Sequence, residues 1–359
     1  MRIARMGMLA ALAALFALIF AGCGKKEEST SQQDAKSQEE AAAPANADTS
    51  RTLVLYSGRS EELVEPVIEL FEKQTGIDVQ TKFGNTPELA LTLREEGSRG
   101  HADVFWAQDA GALGAVAKAG LFVDLPTGVG ADLPPLFRHA GGKWIATSGR
   151  ARTLAYSTER VKKESLPKSV FDLTGARFRG HVGWAPPNAS FQAFITAMRK
   201  MVGEDSTRTW LVDMKKNGTH AYANNVAILQ ALARGEIDYG LPNHYYLINF
   251  KKSEARFNVD QTSFAPGDVG NLVNVAGMGI LATGAHHDAA ERFIRFVLSP
   301  IAQQYFASEV SEYPVIDGIM MNERLVPRDE LLKLAPPVTL DDLDDLDGTL
   351  ALLRSVGLL

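Results

Sequence analysis

The sequence holds one cysteine, Cys23, in 359 residues, so one chain cannot form an internal disulfide. Its seven histidines show no zinc-site spacing, and it has no P-loop, no GxSxG nucleophile elbow and no dinucleotide-binding glycine fingerprint. Lys and Arg number 37 against 43 Asp and Glu, without the basic excess that nucleic-acid binding requires. These absences favour a binding protein over an enzyme and leave an exported hydrolase, assembled from scattered residues, as a remote alternative.

Residues 1–23 have the pattern of an export signal. Arg2 and Arg5 precede an apolar run that ends at Phe20, and two small residues then lead to Cys23. The run is too short for a membrane-spanning helix. The position of Cys23 resembles the lipobox of bacterial lipoproteins, although that motif prefers Leu where Phe20 stands. We expect cleavage before Cys23 and a lipid anchor on it, with a soluble periplasmic protein cut nearby as the alternative.

The chain after the signal divides into a linker and a folded body. Residues 24–51 are rich in Lys, Glu, Gln, Ser and Ala without a periodic apolar face, which predicts a disordered linker. From residue 52 onward, short apolar strands alternate with amphipathic helices, which predicts α/β sheets with largely parallel strands. Extended runs near residues 145–156 and 272–283 would cross between two lobes. The expected lobes are residues 52–147 with 260–283, and residues 148–259 with 284–359.

Two consecutive tyrosines, Tyr245 and Tyr246, end an apolar strand and open a predicted helix over residues 244–252. Asn243 is a suitable N-cap for it. Neighbouring side chains at a helix start diverge by only about 100°, so both phenol groups are able to converge on one point. Two phenolates are hard oxygen donors that need a strong cation between them, which favours Fe³⁺. The alternative interpretation places one ring in the core and the other on the surface. His244 would orient a tyrosine or lie on the helix surface.

Several segments, spread over roughly residues 52–320, occur in the same order as in a known family. These segments are Leu55-Tyr56-Ser57-Gly58, Glu95-Glu96-Gly97-Ser98-Arg99, Ala102-Asp103-Val104-Phe105, Ser148-Gly149-Arg150-Ala151-Arg152, Gly235-Glu236-Ile237-Asp238, Asn243-His244-Tyr245-Tyr246 and Glu312-Tyr313-Pro314. On these segments the chain resembles the periplasmic ferric-ion-binding proteins, which are the solute receptors of bacterial iron ABC transporters. The resemblance implies a two-lobed type II periplasmic binding protein whose crossing hinge strands let the lobes close on the ligand. We expect a monomer that delivers this ligand to an ABC permease from the periplasm or cell surface.

The resemblance also assigns site residues. It places Tyr245 and Tyr246 on the paired tyrosine ligands of the family. In many members a synergistic anion, carbonate or phosphate, completes the metal shell. Its implied site is Asn188, Ala189, Ser190, Asn225 and Asn243. The residues themselves agree with this in part, because Asn188 opens a predicted helix whose free N–H groups would receive an anion, although ordinary helix capping explains Asn188 and Ser190 equally well.

The predicted first lobe departs from the family pattern. Ser60 and Gln108 stand where the family has a histidine and a glutamate, and a neutral hydroxyl or amide is a poor ligand for Fe³⁺. Glu61 and Asp109 each follow one residue later. Either carboxylate would replace a missing metal ligand of the first lobe, or it would remain a solvated residue of its loop.

An anionic organic ligand is the alternative that this departure leaves open. A phosphorylated sugar, a phosphonate or a ferric chelate would be bound bidentately by Arg150 and Arg152.

Overall fold

A computed structural model describes residues 51–254 and 256–359 of the chain. The predicted signal, Cys23 and the linker up to residue 50 lie outside the described residues. Within the described part, no helix has the length and apolar character needed to cross a membrane.

Strands and helices alternate through most of the described chain. The strands are β1 (Thr52–Ser57), β2 (Asp78–Phe83), β3 (Val104–Ala107), β4 (Ile145–Ala151), β5 (Leu154–Ser157), β6 (Val182–Trp184), β7 (His220–Ala221), β8 (Tyr239–Gly240), β9 (Val259–Thr262) and β10 (Val273–Ile280). The α-helices are α1 (Glu61–Thr75), α2 (Thr86–Glu96), α3 (Ala110–Lys118), α4 (Ala189–Val202), α5 (Glu204–Lys216), α6 (Asn225–Arg234), α7 (His244–Ser253), α8 (His287–Val297), α9 (Pro300–Tyr305), α10 (Arg328–Leu334) and α11 (Leu346–Ser355).

The described strands form two five-stranded mixed sheets, and each sheet is the centre of one lobe. The first has the order β2-β1-β3-β10-β4 and the second the order β7-β6-β8-β5-β9. In the first sheet β1 is parallel to β2 and β3, whereas β10 is antiparallel to β3 and β4. In the second, β6 is parallel to β7 and β8, whereas β5 is antiparallel to β8 and β9. We call these the first and second lobes.

Two connections carry the chain between the sheets. β4 of the first sheet continues after two residues into β5 of the second, and the chain returns from β9 to β10. The α/β class and the two-lobed type II architecture with crossing hinge strands are therefore confirmed.

The sheets divide the chain differently from the predicted lobe limits at three places. Residues 148–151 were expected in the second lobe but belong to β4 of the first sheet. β9, at residues 259–262, lies in the second sheet rather than with β10. Helix α8 packs against α1 and β1 of the first lobe, although residues 284–359 were expected in the second. The alternation of strand and helix continues across a lobe crossing, so the pattern itself carries no mark of where the chain changes sheets.

Local sequence explains where the helices near the cleft begin and end. Asp109 caps α3 by accepting a hydrogen bond from the N–H of Ala112 at 3.0 Å. Asn224 caps α6 by accepting one from the N–H of Ala227 at 2.9 Å. Gly235 ends α6 with a φ of 79°, a left-handed conformation that glycine adopts without steric cost. These caps fix where α3 and α6 begin and where α6 ends.

Candidate functional site

Tyr245 and Tyr246 lie together in the first turn of α7, as the sequence predicts. Their ring centroids are 4.3 Å apart with 31° between the ring planes. Tyr245 is fully buried and Tyr246 is half-buried. The Tyr245 hydroxyl accepts a hydrogen bond from Nε2 of Gln108 at 3.1 Å. Because Gln108 follows β3 of the first sheet and α7 follows β8 of the second, this bond joins the two lobes.

The environment of Tyr245 keeps its phenol protonated when no cation is bound. Burial raises the pKa of Tyr245 well above its ordinary value of 10, and the neighbouring Tyr246 and Glu312 raise it further. The guanidinium groups of Arg150 and Arg59 act in the opposite direction but do not cancel these effects. Conversion of the Tyr245 phenol to a phenolate is therefore favoured by a strong positive charge beside it, which a hard metal cation supplies.

Gln108 is held at the cleft by Thr86, the first residue of α2. The Thr86 hydroxyl donates to the carbonyl oxygen of Gly58 at 3.0 Å and accepts from the N–H of Gln108 at 3.0 Å. A Cβ atom on Gly58 would lie 2.0 Å from that hydroxyl oxygen. Glycine is therefore required at the end of β1 for the tips of β1 and β3 to be joined in this way.

The residues predicted to hold an anion gather at the start of α4 in the second lobe. Oδ1 of Asn188 accepts from the backbone N–H of Ser190 at 3.1 Å, from its hydroxyl at 2.5 Å and from Nδ2 of Asn225 at 3.4 Å. Nδ2 of Asn243 donates to the Ser190 hydroxyl at 3.0 Å. Ala189 is the first residue of α4. The four polar side chains thus form one connected cluster that leads directly to the start of α7.

The two predicted first-lobe positions differ in their surroundings. Gln108 contacts Tyr245, whereas Ser60 and Glu61 are exposed at the start of α1. Asp109 is buried with its Oδ1 occupied by the cap of α3, while its Oδ2 has no hydrogen-bond partner among the described residues. Burial raises the pKa of the Asp109 carboxyl, and the nearby Arg150 lowers it in part.

Arg59 and Glu312 form a buried ion pair that sequence reasoning missed. The two nitrogens at the tip of the Arg59 guanidinium contact the two carboxylate oxygens of Glu312 at 2.8 and 2.9 Å. The Ser148 hydroxyl donates to the same carboxylate at 2.5 Å. Both charged side chains are almost completely buried. The signal in the sequence was Arg59, two residues after the end of the apolar strand β1, but its partner lies 253 residues away and no local pattern identifies it.

Arg150 and Arg152 are both buried but have different surroundings. None of the three guanidinium nitrogens of Arg150 has a hydrogen-bond partner in the described chain. Arg152 donates to the carbonyl oxygen of Leu241 and lies over the ring of Phe194 at 4.9 Å. Burial, followed by repulsion from Arg150, lowers the pKa of Arg152 to about 9. Arg152 therefore packs within the second lobe, whereas Arg150 is a buried guanidinium near Tyr245 that makes no hydrogen bond in the described chain.

His244 is buried rather than on the helix surface. Its Nδ1 accepts from the N–H of Ala151 at 3.1 Å and its Nε2 lies 3.0 Å from the carbonyl oxygen of Ser311. Its ring is edge-on to Tyr245, with centroids 5.6 Å apart. Burial lowers the pKa of His244 to about 4, so the ring is neutral at pH 7. The histidine thus ties the first turn of α7 to the end of β4 and to the segment that carries Glu312.

Two α/β lobes, crossing strands and polar groups that meet between the lobes define a type II periplasmic binding protein. Residues 100–345 match the family described as bacterial extracellular solute-binding protein, and the chain belongs to this family. It is 33% identical over 282 residues to the Fe(3+)-binding periplasmic protein of Serratia marcescens, covering 78% of this chain and 83% of that one. It is 31% identical to the major ferric iron-binding protein of Neisseria meningitidis serogroup B, covering 89% of this chain and 95% of that one.

Among solved structures, the chain is similar to iron-bound HitA from Pseudomonas aeruginosa. The TM-score is 0.81 at 33% identity, covering 85% of this chain and 99% of HitA. The resemblance to the ferric-ion-binding proteins is therefore confirmed. These relatives are solute-binding proteins, and this chain is a binding protein and not an enzyme.

Proposed function

We propose that the protein captures ferric iron with Tyr245 and Tyr246, together with a synergistic anion, and delivers it to an ABC permease. The observation that carries this proposal is the pair of adjacent phenol rings at the start of α7, with Tyr245 in contact with the opposite lobe through Gln108. A cation held by the tyrosines would be enclosed when the lobes close. The names of the Serratia and Neisseria relatives support iron as that cation.

The charge count of this metal site requires an anion. Fe³⁺ with two phenolates keeps one positive charge, and Gln108 is neutral. The Asn188, Ser190, Asn225 and Asn243 cluster at the start of α4 is our proposed position for carbonate or phosphate, since the free N–H groups of a helix N-terminus favour a negative charge.

The direct test is a visible spectrum of the ligand-free protein after addition of ferric iron, with and without bicarbonate. Two phenolates on Fe³⁺ produce a ligand-to-metal charge-transfer band. We expect the band to appear strongly with bicarbonate and weakly without it, because within residues 51–254 and 256–359 the Tyr245 hydroxyl bonds to the neutral Gln108 and to no carboxylate. A colourless protein under both conditions contradicts iron binding.

A colourless result would favour the second candidate function, a receptor for a phosphorylated sugar or a phosphonate. The observation behind this candidate is Arg150, whose buried guanidinium has no partner in the described chain. A fork of parallel N–H donors fits a phosphate group as well as a carboxylate.

We further infer that the protein is a monomeric lipoprotein held in the periplasm or at the cell surface. The export pattern and the position of Cys23 support this. Changing Cys23 to Ser removes the sulfur that would carry the lipid. We expect this variant to leave the membrane fraction for the soluble periplasmic fraction, measured by fractionation and immunoblotting. Unchanged membrane association would argue against the anchor.

A further inference from the structure

A cavity of about 710 Å³ lies in the first lobe at the start of β4, and none of the residues proposed above for iron or its anion lines it. The volume is within the range of about 300 to 1,000 Å³ that is typical of sites for small organic ligands. Ile145 begins β4, and Arg150, which is near Tyr245, lies five positions later. The cavity and the metal site are therefore separated by about 17 Å along the strand. The walls of the cavity are mainly apolar and include Leu125, Val129, Leu136, Ile145, Val338 and Leu340.

Arg138 lines the same cavity and is half-buried there. Its Nη1 donates to the carbonyl oxygen of Ala131 at 3.4 Å, which is long for a hydrogen bond. Its Nε is buried and has no hydrogen-bond partner among the described residues. The acidic residue of the cavity wall is Asp341, but its two carboxylate oxygens face the N–H of Ala140 at 3.4 Å and Nε2 of His139 at 3.9 Å. The positive charge of Arg138 is therefore left for a partner from outside the chain.

The indole of Trp144 supplies a second unpaired donor at this cavity. Trp144 lines the cavity and is 1% exposed, and its Nε1 has no hydrogen-bond partner in the part of the chain that the structure describes. A buried indole N–H usually has an acceptor. The ring packs against His139, with centroids 5.6 Å apart. Because both unpaired groups are donors and one of them carries a positive charge, the cavity is suited to a ligand with acceptor oxygens and a negative charge.

We propose that this cavity is a second binding site of the protein, and that its ligand is an amphipathic carboxylate with an aliphatic body, a free fatty acid in solution. The carboxylate would bind the Arg138 guanidinium, and the hydrocarbon chain would lie against the apolar walls, where removal of apolar surface from water stabilises it. A neutral hydrocarbon would leave Arg138 without a partner, and a small inorganic anion would leave the apolar walls uncovered. The inference is independent of the proposed iron function, because the two sites share no residue.

The test uses decanoate as the probe and 1-decanol as its uncharged counterpart, with dissociation constants measured by titration calorimetry on the full chain at pH 7. We expect decanoate to bind at least about 10-fold more tightly than 1-decanol, since only the carboxylate forms a charge-assisted hydrogen bond with Arg138. Tryptophan emission should change when decanoate binds. Trp144→Phe should remove most of that change, because Trp144 is the tryptophan that lines the cavity in the described chain.

Three variants of the cavity wall have different expected effects. Arg138→Gln should weaken decanoate binding at least about 10-fold and leave 1-decanol binding unchanged. Arg138→Lys should be intermediate, because it keeps the charge without the planar fork of donors. Asp341→Asn removes a negative charge from the wall and should tighten decanoate binding by up to about 5-fold. Arg99→Gln is the matched control, since Arg99 is an exposed arginine of the first lobe outside the cavity, and it should bind decanoate like the unmodified protein.

Several outcomes would overturn the proposal. No binding of decanoate up to about 1 mM would show that the cavity is not a site for it. Equal affinity for decanoate and 1-decanol would contradict recognition of the carboxylate, and unchanged decanoate binding in Arg138→Gln would place the ligand elsewhere. Competition between decanoate and ferric iron would place it between the lobes. Unchanged 1-decanol binding in Arg138→Gln also shows that the variant is folded. A protein that binds decanoate through Arg138 but stays colourless with iron would reject the iron function alone.

Discussion

Replacing Glu312 by Gln is expected to lower the free energy of unfolding by about 3 to 5 kcal/mol, because it leaves the Arg59 guanidinium buried without its charged partner. Both side chains are almost completely buried, and the pair joins the tip of β1 to a segment near the C-terminal end of the chain. Urea denaturation of the ligand-free protein at pH 7 measures the change. A loss below about 1 kcal/mol would show that the pair is solvated in solution.

Two controls belong with this experiment. Asp347→Asn breaks the exposed contact with Arg94 and should change the free energy of unfolding by no more than about 1 kcal/mol. The double variant Arg59→Met with Glu312→Leu removes both charges and should recover much of the loss, since apolar replacement of a whole buried pair is often neutral.

The pH dependence of the Glu312 contribution has a definite sign. Burial raises the pKa of the Glu312 carboxyl, but the Arg59 charge and the hydrogen bonds of Arg59 and Ser148 lower it more, so the net shift is downward. The stabilisation by the carboxylate is therefore complete above the ordinary glutamate pKa of 4.5 and is lost as the pH falls through the lower pKa of the folded state. In Glu312→Gln this part of the acid dependence should be absent.

The Arg59 and Glu312 pair is also connected to the tyrosines. Ser311, which precedes Glu312, has a φ of 63° and follows a π-helical turn over Phe306–Val310. Its carbonyl oxygen faces Nε2 of His244, and the His244 ring packs against Tyr245. A non-glycine residue in the left-handed region persists only where its surroundings hold it. The buried ion pair and the histidine supply that restraint, and together they position the first turn of α7.

The parts of the site that the sequence predicted are local ones. Helix α7 begins at His244 as predicted, although the Asn243 side chain makes no capping hydrogen bond and donates to Ser190 instead. The two tyrosines are adjacent in the chain and need no long-range contact to lie together. The α/β class follows from the alternation of short apolar strands and amphipathic helices. Caps such as Asn188 are likewise determined within a few residues.

The parts that could not be predicted depend on contacts between distant residues. Arg59 and Glu312 are 253 positions apart, and each alone resembles an ordinary surface charge. His244 fits a helix surface in sequence, but the segment at Ser311 covers it. Arg150 and Arg152 are two residues apart, yet β4 ends between them, so one side chain stays with the first sheet and the other packs on α4 of the second. Only the strand pairing separates their surroundings.

Changing Tyr245 to Phe is expected to shift and strongly weaken the iron charge-transfer band, because only the Tyr246 phenolate remains, and to weaken ferric binding more than about 100-fold. Groups that only orient a metal ligand typically contribute 10- to 100-fold, roughly, so loss of a direct charged donor should exceed that range. Tyr245 is fully buried and bonded to Gln108 of the other lobe, whereas Tyr246 is half-buried. Tyr246→Phe, which also keeps one phenolate, should therefore shift the band but weaken it less than Tyr245→Phe does.

The tyrosine prediction has a matched control in Tyr222, a partly exposed residue of the second lobe whose hydroxyl contacts Glu236. Tyr222→Phe removes the same hydroxyl away from α7 and should leave the band and the dissociation constant unchanged. Titration of each variant with ferric iron and bicarbonate, read at the maximum of the band, gives the comparison. If Tyr245→Phe keeps the full band and affinity, the metal does not bind at the paired tyrosines, because a phenyl ring offers Fe³⁺ no oxygen donor.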